Sequence, residues 1–481
     1  EFNPKQRVMI DYTPTYTDQY QLTMAQVYVN KGMKNETAVF DYFFRKLPFD
    51  GGYAIFAGLE DLLTALENFH FTEKDISYLK EQNFDADFIE YLENFEFSGN
   101  IYASTEGDLI FPNRPVISVE APLPESQILE TMVLNVLNYQ SLIATKASRM
   151  RLSAGDKKLV DFGLRRAPGL GGYSASRAAI IGGYDATSNV RSGRDYDIPI
   201  SGTMAHSFIQ RYDDEISAFR DFAEVRADDC VLLVDTYDTL KSGVPNAIKV
   251  AKEMEERGEK MKAIRLDSGD LAWLAKRSRK MLDEAGLDDV KIAASNQLDE
   301  HVIKSLLNQA APIDLFGVGT SLVTGRPDAA LDGVYKLAYA NGESRLKLSE
   351  NVEKINLPGK KQVYRLLKND EFYGGDVVAF GNEDPDDIQM MHHSSDPTKI
   401  LNIDLYKKEP LLKKVVENGN RISKPRALDE IAQYNRKRMD KLPDEFKRFE
   451  NPHIYKIGLS KSLKDERDRL VHHYEEKVES S

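Results

Sequence analysis

The 481-residue sequence predicts an α/β protein built on repeated βα units. In the middle of the chain, short apolar runs alternate with helical patterns, and each pair takes about 25–30 residues, the size of a βα unit. Each apolar run stops at polar or glycine residues. Strands that alternate with helices form a parallel sheet or barrel, and ligands bind at the carboxyl ends of such strands. We therefore expect an enzyme whose active site lies at these strand ends, between Val160 and Ser321.

The N-terminal part of the chain predicts mixed α and β structure. Asp18 precedes a helical pattern from Gln19 to Asn30, and the β-branched and aromatic residues of 37–44 predict a strand. Further helical patterns lie near 58–69, 73–81 and 85–95, strand patterns near 99–105 and 115–120, and a long helix from Pro124 to about Arg151.

The middle of the chain supplies the strands of the predicted parallel structure. Two early segments are expected to join it, Leu159–Phe162 and Ile198–Thr203, and the second leads into a helix at His206. The later strands are predicted at 231–234, 263–266, 290–294 and 314–318, with helices at 244–258, 270–286 and 298–311.

After about residue 345 the pattern loosens. Segments 362–367 and 376–380 predict strands of a small β-rich region. The polar, acidic segment 381–399 predicts an exposed loop, and two charged helices are expected near 426–440 and 460–478.

Composition narrows the class of protein. The net charge of −13 disfavours a nucleic-acid or membrane-surface partner, because both need a broad basic face. No apolar run approaches the roughly 18 residues of a membrane span. The single cysteine, Cys230, allows no internal disulfide, which fits a reducing compartment. The polar N-terminus resembles no targeting peptide, so we expect a cytoplasmic protein.

The first candidate group follows the strand at 159–162. Phe162 could stack on a flat ligand, while Arg165 and Arg166 could pair with a carboxylate or phosphate. The alternative is a core phenylalanine beside surface arginines.

Further candidates follow other strands. His206 stands at a strand-to-helix junction and could act as acid, base or phosphoryl acceptor, although a lone histidine is more often structural. Asp235 and Asp267 could hold Mg²⁺ or ribose hydroxyls, with helix capping as the alternative, which fits Asp270 better. Arg265 lies within an apolar strand, where a charge needs a partner, and this favours a functional role.

Two glycines follow the last strand of this series. The backbone of Gly317-Val318-Gly319-Thr320 could approach a phosphate closely and offer it free N–H groups. A plain turn fits the same residues about equally well. The segment is not a dinucleotide-binding fingerprint, because it lacks the third glycine and an early acidic ribose partner.

Taken in order, these motifs resemble the nicotinate phosphoribosyltransferase family. The matching segments are Thr17–Met24, Asp161–Ala167, Gly202–Phe208, Val234–Tyr237, Arg265–Asp270 and Gly317–Ser321. Six ordered motifs are far more specific than any single one. The resemblance implies an irregular, TIM-like βα barrel at 126–340 and an α/β N-terminal domain at 1–125. A small β-rich and helical C-terminal region at 341–481 would pack on the N-terminal domain.

The resemblance also implies an activity. Family members convert nicotinate and phosphoribosyl pyrophosphate to nicotinate mononucleotide and pyrophosphate, the first step of NAD synthesis from nicotinate. The reaction is coupled to ATP hydrolysis through a phosphohistidine and needs Mg²⁺. The implied assembly is a homodimer with shared active sites. The alternative is a nicotinamide phosphoribosyltransferase.

The resemblance assigns the base-binding residues. Phe162 and Tyr20 would sandwich the pyridine ring, with Tyr20 reaching in from the neighbouring subunit, and Arg265 would pair with the carboxylate. Thr187, Ser188 and Asn189 stand in the loop where nicotinamide enzymes carry an aspartate, which would repel a carboxylate.

The remaining roles follow from the same resemblance. Arg165 would meet the ribose and pyrophosphate, together with Asp235 and Asp267, which would also meet Mg²⁺, and His206 would be the residue phosphorylated by ATP. The 5-phosphate would bind at Gly317, Gly319 and Thr320, and further substrate contacts would come from Ser207 and Asn296.

Overall fold

The computed structural model describes residues 12–348 and 356–479. The chain divides into two compact units: the first joins the N-terminal segment through Leu142 to the segment from Ala330 onward, and the second is Ile143–Ala329. The second unit falls within the segment 126–340 that was predicted to form the barrel. The three predicted domain boundaries stay predictions. No helix in the described ranges is long and apolar enough to cross a membrane.

The early part of the first unit follows the predicted mixture of helices and strands. Its strands are β1 (Thr37–Phe44), β2 (Ala54–Ile55), β3 (Asn100–Ala103), β4 (Leu109–Ile110) and β5 (Ile117–Pro122). Its helices are α1 (Gln19–Asn30), α2 (Leu59–Leu66), α3 (Glu73–Glu81), α4 (Ala86–Glu93) and α5 (Leu123–Ile128), and α6 (Glu130–Ala154) continues into the second unit. The predicted bounds of α1 and β1 are confirmed.

The prediction of one long helix from Pro124 to about Arg151 is wrong in one respect, because this segment forms two helices. α5 ends at Ile128 and α6 begins at Glu130. The Tyr335 hydroxyl donates to the Ser126 carbonyl over 2.9 Å. In a continuous helix the Glu130 N–H would use that carbonyl as its acceptor.

The second unit holds the alternating βα pattern. Its strands are β6 (Lys158–Asp161), β7 (Ala186–Thr187), β8 (Val231–Leu233), β9 (Ala263–Leu266), β10 (Lys291–Ser295) and β11 (Leu315–Val318). Its helices are α7 (Gly171–Ile181), α8 (Val190–Tyr196), α9 (His206–Gln210), α10 (Glu215–Val225), α11 (Val244–Glu256), α12 (Leu271–Glu284), α13 (Glu300–Asn308) and α14 (Thr320–Val323).

These six strands form one parallel sheet in the order β7-β6-β11-β10-β9-β8. The predicted parallel structure is therefore confirmed as a half-barrel. A closed barrel is not confirmed, since β7 and β8, the two edge strands of this sheet, do not pair with each other in the described part of the chain. The strand predicted at 198–203 is wrong: only Ile200 forms a bridge, to Thr187. Pro199 next to it lacks the N–H that a regular ladder needs.

The later part of the first unit is rich in β structure, as predicted. Its strands are β12 (Gly333–Ala340), β13 (Glu343–Ser344), β14 (Lys361–Lys368), β15 (Glu371–Phe380), β16 (Met390–His393), β17 (Ile400–Asn402), β18 (Lys407–Pro410), β19 (Lys413–Glu417), β20 (Asn420–Arg421) and β21 (Lys456–Leu459). Its helices are α15 (Leu428–Lys441) and α16 (Lys461–Glu479).

Two larger sheets organise the first unit. A seven-stranded antiparallel sheet interleaves early and late strands in the order β13-β12-β1-β5-β3-β19-β20. A six-stranded sheet has the order β17-β16-β21-β15-β14-β18. The loop predicted at 381–399 is wrong in part, because β16 lies inside it. Met391 is buried against Ile388 and Tyr364, and this apolar contact holds β16 in the sheet.

A buried ionic cluster joins early and late segments of the first unit. The Asp108 carboxylate accepts hydrogen bonds from Arg365 Nη1 over 2.8 Å and from Arg438 Nε over 2.7 Å. Arg365 Nε also donates to Asp376 over 3.1 Å, and Arg114 Nε lies 2.8 Å from the same carboxylate. Burial alone would raise the pKa of Asp108, but Arg365 and Arg438 outweigh burial and hold that pKa below its usual value.

We expect Asp108→Asn to lower the free energy of unfolding by about 3–5 kcal/mol, because it leaves two buried guanidinium groups without their shared anion. Urea denaturation measures the change. Asp50→Asn is the control, since the exposed Lys46–Asp50 pair contributes less than about 1 kcal/mol.

The same carboxylate predicts a dependence of stability on pH. Because the pKa of Asp108 is depressed, its contribution to the free energy of unfolding should be present above its unfolded-state pKa and be lost as the pH falls through the folded-state value. Equal effects of the two substitutions would contradict this account.

Candidate active site

The candidate site lies along the carboxyl-terminal edge of the parallel sheet. Since all six strands run in the same direction, the residues that follow them share one edge. That edge carries most of the predicted site residues: Phe162 after β6, Thr187 and Ser188 at β7, Asp235 after β8, Asp267 after β9, Asn296 after β10 and Gly319 after β11.

The Phe162 ring packs against β11, where only glycine leaves room for it. A Cβ atom on Gly317 would lie 2.3 Å from the Phe162 Cε2 atom. The Phe162 N–H donates to the Val318 carbonyl over 2.8 Å, so the backbone of Phe162 is also bonded to β11. Gly317 therefore leaves the space that the ring occupies, and any larger residue would displace the ring.

A buried carboxylate organises the loop around the ring. Asp161 is 1% exposed and accepts three hydrogen bonds, from Ser176 Oγ over 2.7 Å, Thr187 Oγ1 over 2.8 Å and the Gly163 N–H over 2.8 Å. Burial raises the pKa of Asp161, and these three donors oppose that rise. The sequence did not reveal Ser176, because it lies in the buried face of α7 with no pattern around it to mark it as polar support.

Thr187 at the end of β7 is buried, whereas Ser188 after it is partly exposed. Thr187 is fully buried, and its hydroxyl is committed to Asp161. The Asn189 N–H in turn donates to the Thr187 hydroxyl over 3.0 Å. Ser188 is half-buried, and its N–H donates to the Asp161 carbonyl over 2.8 Å. Thr187 therefore supports the site from beneath, and Ser188 is the member of this pair left accessible to a substrate.

His206 and two carboxylates form the second part of the site. His206 Nδ1 lies 3.0 Å from Thr236 Oγ1. Its Nε2 lies 3.7 Å from Asp267 Oδ2 and 3.9 Å from Asp235 Oδ1. The Asp267 N–H donates to Asp235 Oδ2 over 2.9 Å, which fixes the two acidic residues relative to each other. Thr236 was not among the predicted site residues, although it belongs to a motif that was recognised.

Hydroxyl groups hold the same carboxylates. The Ser295 hydroxyl donates to Asp267 Oδ1, and the Ser268 hydroxyl donates to Asp235 Oδ2. Asp235 Oδ1 is buried and has no hydrogen-bond partner among residues 12–348 and 356–479. Asp235 and Asp267 thus offer carboxylate oxygens that could bind a hydroxyl group or a hard cation.

No group of three or more acidic, histidine or cysteine side chains within residues 12–348 and 356–479 could hold a metal ion alone. A Mg²⁺ ion at Asp235 and Asp267 would therefore take the rest of its oxygen ligands from water or a bound substrate, as this ion commonly does. The free Asp235 Oδ1 atom fits that arrangement.

Arg265 projects from β9 and keeps a buried donor without a partner. Its Nε atom is buried and makes no hydrogen bond within the described residues. Burial lowers the pKa of the guanidinium, while the Asp267 and Asp235 carboxylates oppose this. Two carboxylates thus stabilise the charge from a distance, but the buried N–H still lacks an acceptor, which a bound anion could supply.

The other predicted residues are more exposed. Arg165, Ser207 and Thr320 are exposed, and Gly319 directly precedes the short helix α14. Asn296 is also exposed and has a φ of 75°, which is uncommon for a residue other than glycine.

Tyr20 belongs to the first unit. It is 50% exposed, and its hydroxyl donates to Glu130 over 3.3 Å. Burial, and next the Glu130 charge, raise the pKa of its phenol.

We expect Thr187→Val to lower the free energy of unfolding by about 1–3 kcal/mol, because a buried carboxylate loses one donor while the side-chain shape is kept. The control is Ser188→Ala, a neighbouring hydroxyl outside the Asp161 network, which should change stability by less than about 0.5 kcal/mol. Urea denaturation of both variants makes the comparison. A Thr187→Val protein as stable as the control would show that this network does not support the fold.

Comparison with known proteins covers nearly the whole chain. The nicotinate phosphoribosyltransferase (NAPRTase) N-terminal domain matches residues 15–138, the nicotinate phosphoribosyltransferase (NAPRTase) family residues 157–370, and the nicotinate phosphoribosyltransferase C-terminal domain residues 360–467.

Individual relatives agree with these matches. A nicotinate phosphoribosyltransferase of Bacillus subtilis is 44% identical, with 98% of this chain and 97% of the relative covered. One from Mycobacterium tuberculosis is 41% identical over 95% of this chain and 94% of its own length. The crystal structure of human nicotinic acid phosphoribosyltransferase superposes with a TM-score of 0.84 at 30% identity, covering 94% of this chain and 99% of that one.

Proposed function

Because this chain belongs to the nicotinate phosphoribosyltransferase family, we propose that it joins nicotinate to phosphoribosyl pyrophosphate and releases nicotinate mononucleotide and pyrophosphate. This would be the first step of NAD synthesis from nicotinate. The observation that carries the proposal is the buried Arg265 Nε atom without a hydrogen-bond partner. A substrate carboxylate would satisfy that donor and neutralise the guanidinium.

The base would bind between Arg265 and the Phe162 ring. Gly317 leaves room for this ring, whose face would stack on the pyridine ring of nicotinate. A homodimer with shared sites would bring Tyr20 of a second subunit to the other face of the base. The half-exposed Tyr20 ring leaves a surface for that contact.

Transfer at the ribose C1 would depend mainly on charge stabilisation. The C1–oxygen bond to pyrophosphate breaks with its electron pair on pyrophosphate, and the nicotinate ring nitrogen forms the new bond. Positive charge develops on the ribose, and negative charge develops on the leaving group. Asp235 and Asp267 would bind the ribose and share Mg²⁺ with the pyrophosphate, and Arg165 would pair with the pyrophosphate. Bound Mg²⁺ would supply charge stabilisation.

The outer contacts would orient the rest of the substrate. The backbone at Gly317 and Gly319 and the exposed Thr320 hydroxyl would hold the 5-phosphate. Ser207 and Asn296, both exposed at the same edge, would make the remaining substrate contacts.

Coupling to ATP would pass through His206. A ring nitrogen attacks the γ-phosphorus, the bond between that phosphorus and the ADP oxygen breaks, and ADP leaves with the electron pair. Water later cleaves the N–P bond, which returns the imidazole and releases phosphate. The partly exposed His206 ring beside two carboxylates supports this role, because a phosphoryl acceptor must be reachable.

We also propose that segment 200–203 closes the half-barrel into an irregular βα barrel. Ile200 forms a bridge with Thr187 of β7, and the Thr203 hydroxyl donates to the Val231 carbonyl of β8 over 3.0 Å. The segment thus contacts both edge strands. A cytoplasmic location stays part of the proposal.

We expect the protein to turn over nicotinate faster than nicotinamide when each base is supplied with phosphoribosyl pyrophosphate and mononucleotide formation is measured. Nicotinamide lacks the carboxylate that Arg265 needs. Ser188→Asp should lower kcat/KM for nicotinate by at least about tenfold, because it places a like charge near the carboxylate. Faster turnover of nicotinamide by the unmodified protein would contradict the proposal. The relatives described above do not favour a nicotinamide enzyme.

We expect His206→Ala to abolish nicotinate-dependent ATP hydrolysis and the acid-labile phosphoenzyme formed with γ-labelled ATP. The control is His472→Ala, which should keep both, because the exposed His472 side chain lies on α16 and pairs with Glu476. Circular dichroism checks that both variants fold. Unchanged ATP coupling in folded His206→Ala would remove this residue from the proposed role.

A further inference from the structure

The start of α1, the helix that carries Tyr20, is hydrogen-bonded to the residues at the break between α5 and α6. Glu130 and Thr131 are the first two residues of α6, directly after that break. The Thr17 hydroxyl donates to Thr131 Oγ1 over 2.9 Å, and the Asp18 N–H donates to the same atom over 3.4 Å. These bonds fix the backbone from which the Tyr20 side chain extends, and Glu130 lies next to them in the chain.

The Glu130 carboxylate connects a buried pair of amides to the Tyr20 ring. Gln127 Nε2 donates to Glu130 Oε2 over 3.2 Å and also donates to Gln21 Oε1. Gln127 and Gln21 are both buried, whereas Tyr20 is half exposed. The Tyr20 hydroxyl donates to Glu130 Oε1 over 3.3 Å. One oxygen of the carboxylate therefore accepts from the protein interior, and the other accepts from the phenol.

Such a contact has a physical use for a ring at the surface. A tyrosine side chain turns about two torsions, and a ring that must be fixed when a flat ligand binds costs affinity. A hydrogen bond at the hydroxyl end restricts both torsions before the ligand arrives. Because Gln127 holds the acceptor, the Glu130 carboxylate is itself restricted in position.

We propose that Glu130 is a positioning residue for Tyr20: its carboxylate accepts from the phenol hydroxyl and holds the ring ready to cover one face of the base. The proposal rests on the function proposed above, in which Tyr20 of a second subunit reaches the base. Glu130 itself does not touch the substrate in this account. It acts on the affinity for nicotinate through the orientation of the Tyr20 ring.

A double-mutant cycle tests whether Glu130 acts through that hydroxyl. Tyr20→Phe removes the hydroxyl alone, Glu130→Ala removes the carboxylate, and a third protein carries both changes. Glu130→Gln keeps an oxygen that can accept from the phenol and is the conservative variant. Asp221→Ala is the matched control, since the exposed Asp221 carboxylate accepts from the half-buried Tyr212 hydroxyl over 2.9 Å. Circular dichroism checks that all five proteins fold.

We expect Tyr20→Phe and Glu130→Ala each to raise the KM for nicotinate about fivefold, because the ring must then be fixed during binding. The kcat and the KM for phosphoribosyl pyrophosphate should change less than about twofold, since the contact is the same in the ground state and the transition state. The double variant should match the single ones, because either change alone already removes the contact. Glu130→Gln should raise the KM for nicotinate less than Glu130→Ala does, and Asp221→Ala should leave it unchanged.

Two results of the cycle would overturn the proposal. One is a double variant whose KM for nicotinate rises by the product of the two single effects, since Glu130 would then act independently of the hydroxyl. The other is an equal rise in the KM of both substrates in Glu130→Ala, which would show a general structural effect. A lack of nicotinate turnover in the unmodified protein would instead refute the function proposed above.

A second readout needs no substrate. Burial, and next the Glu130 charge, raise the pKa of the Tyr20 phenol. In protein labelled with ¹³Cζ-tyrosine, the titration of Tyr20 should therefore move to lower pH in Glu130→Ala and stay unchanged in Asp221→Ala. The chain has 23 tyrosines, and the spectrum of Tyr20→Phe identifies the Tyr20 signal. An unchanged Tyr20 titration in Glu130→Ala would overturn the proposal, whether or not the protein turns over nicotinate.

Discussion

A buried cation without a full set of acceptors governs the candidate site. Arg265 extends from β9, an interior strand of the parallel sheet, and Asp235 and Asp267 stabilise its charge without a hydrogen bond to its Nε in the part of the chain that the structure describes. Leaving such a donor unsatisfied costs stability, and a bound anion would remove that cost. In the proposed function that anion is the nicotinate carboxylate, and a preference for an acid over an amide would follow from the same constraint.

The surrounding residues make that site rigid. The Asp161 carboxylate connects β6 to Ser176 of α7 and Thr187 of β7, and the Phe162 N–H is bonded to β11, where Gly317 leaves room for the ring. Hydroxyl and amide donors hold the two acidic residues beside His206. Groups held this firmly lose little entropy when a substrate binds and need little reorganisation during the reaction.

Local sequence patterns predicted those parts of the fold that depend on local physics. The strands at 263–266 and 314–318 are short apolar runs that stop at polar residues, and the structure confirms both. One failure came where a distant contact decides. The break at Leu129 accompanies a hydrogen bond from Tyr335, more than 200 residues away in the chain, which no local pattern reports. The other failure, at 198–203, has a local cause, because Pro199 within the segment lacks the N–H of a regular strand and the apolar pattern alone did not take this into account.

The residues of the candidate site were also predicted only in part. Motifs identified the residues that carry charge or a ring, such as Phe162, His206 and Arg265, because those side chains stand out where strands end. The supporting hydroxyls of Thr236, Ser176 and Ser295 escaped prediction, since a serine or threonine is common everywhere and only its neighbours give it a role. The substrate role predicted for Thr187 stays a prediction, and the structure shows that its hydroxyl donates to Asp161.

The most direct test of the account is a crystal structure with nicotinate bound. We expect the carboxylate of nicotinate within hydrogen-bonding distance of the Arg265 guanidinium, including its Nε, at about 2.7–2.9 Å, with the pyridine ring stacked on Phe162. A nicotinate whose carboxylate faces solvent, or one bound away from Arg265, would contradict the central claim.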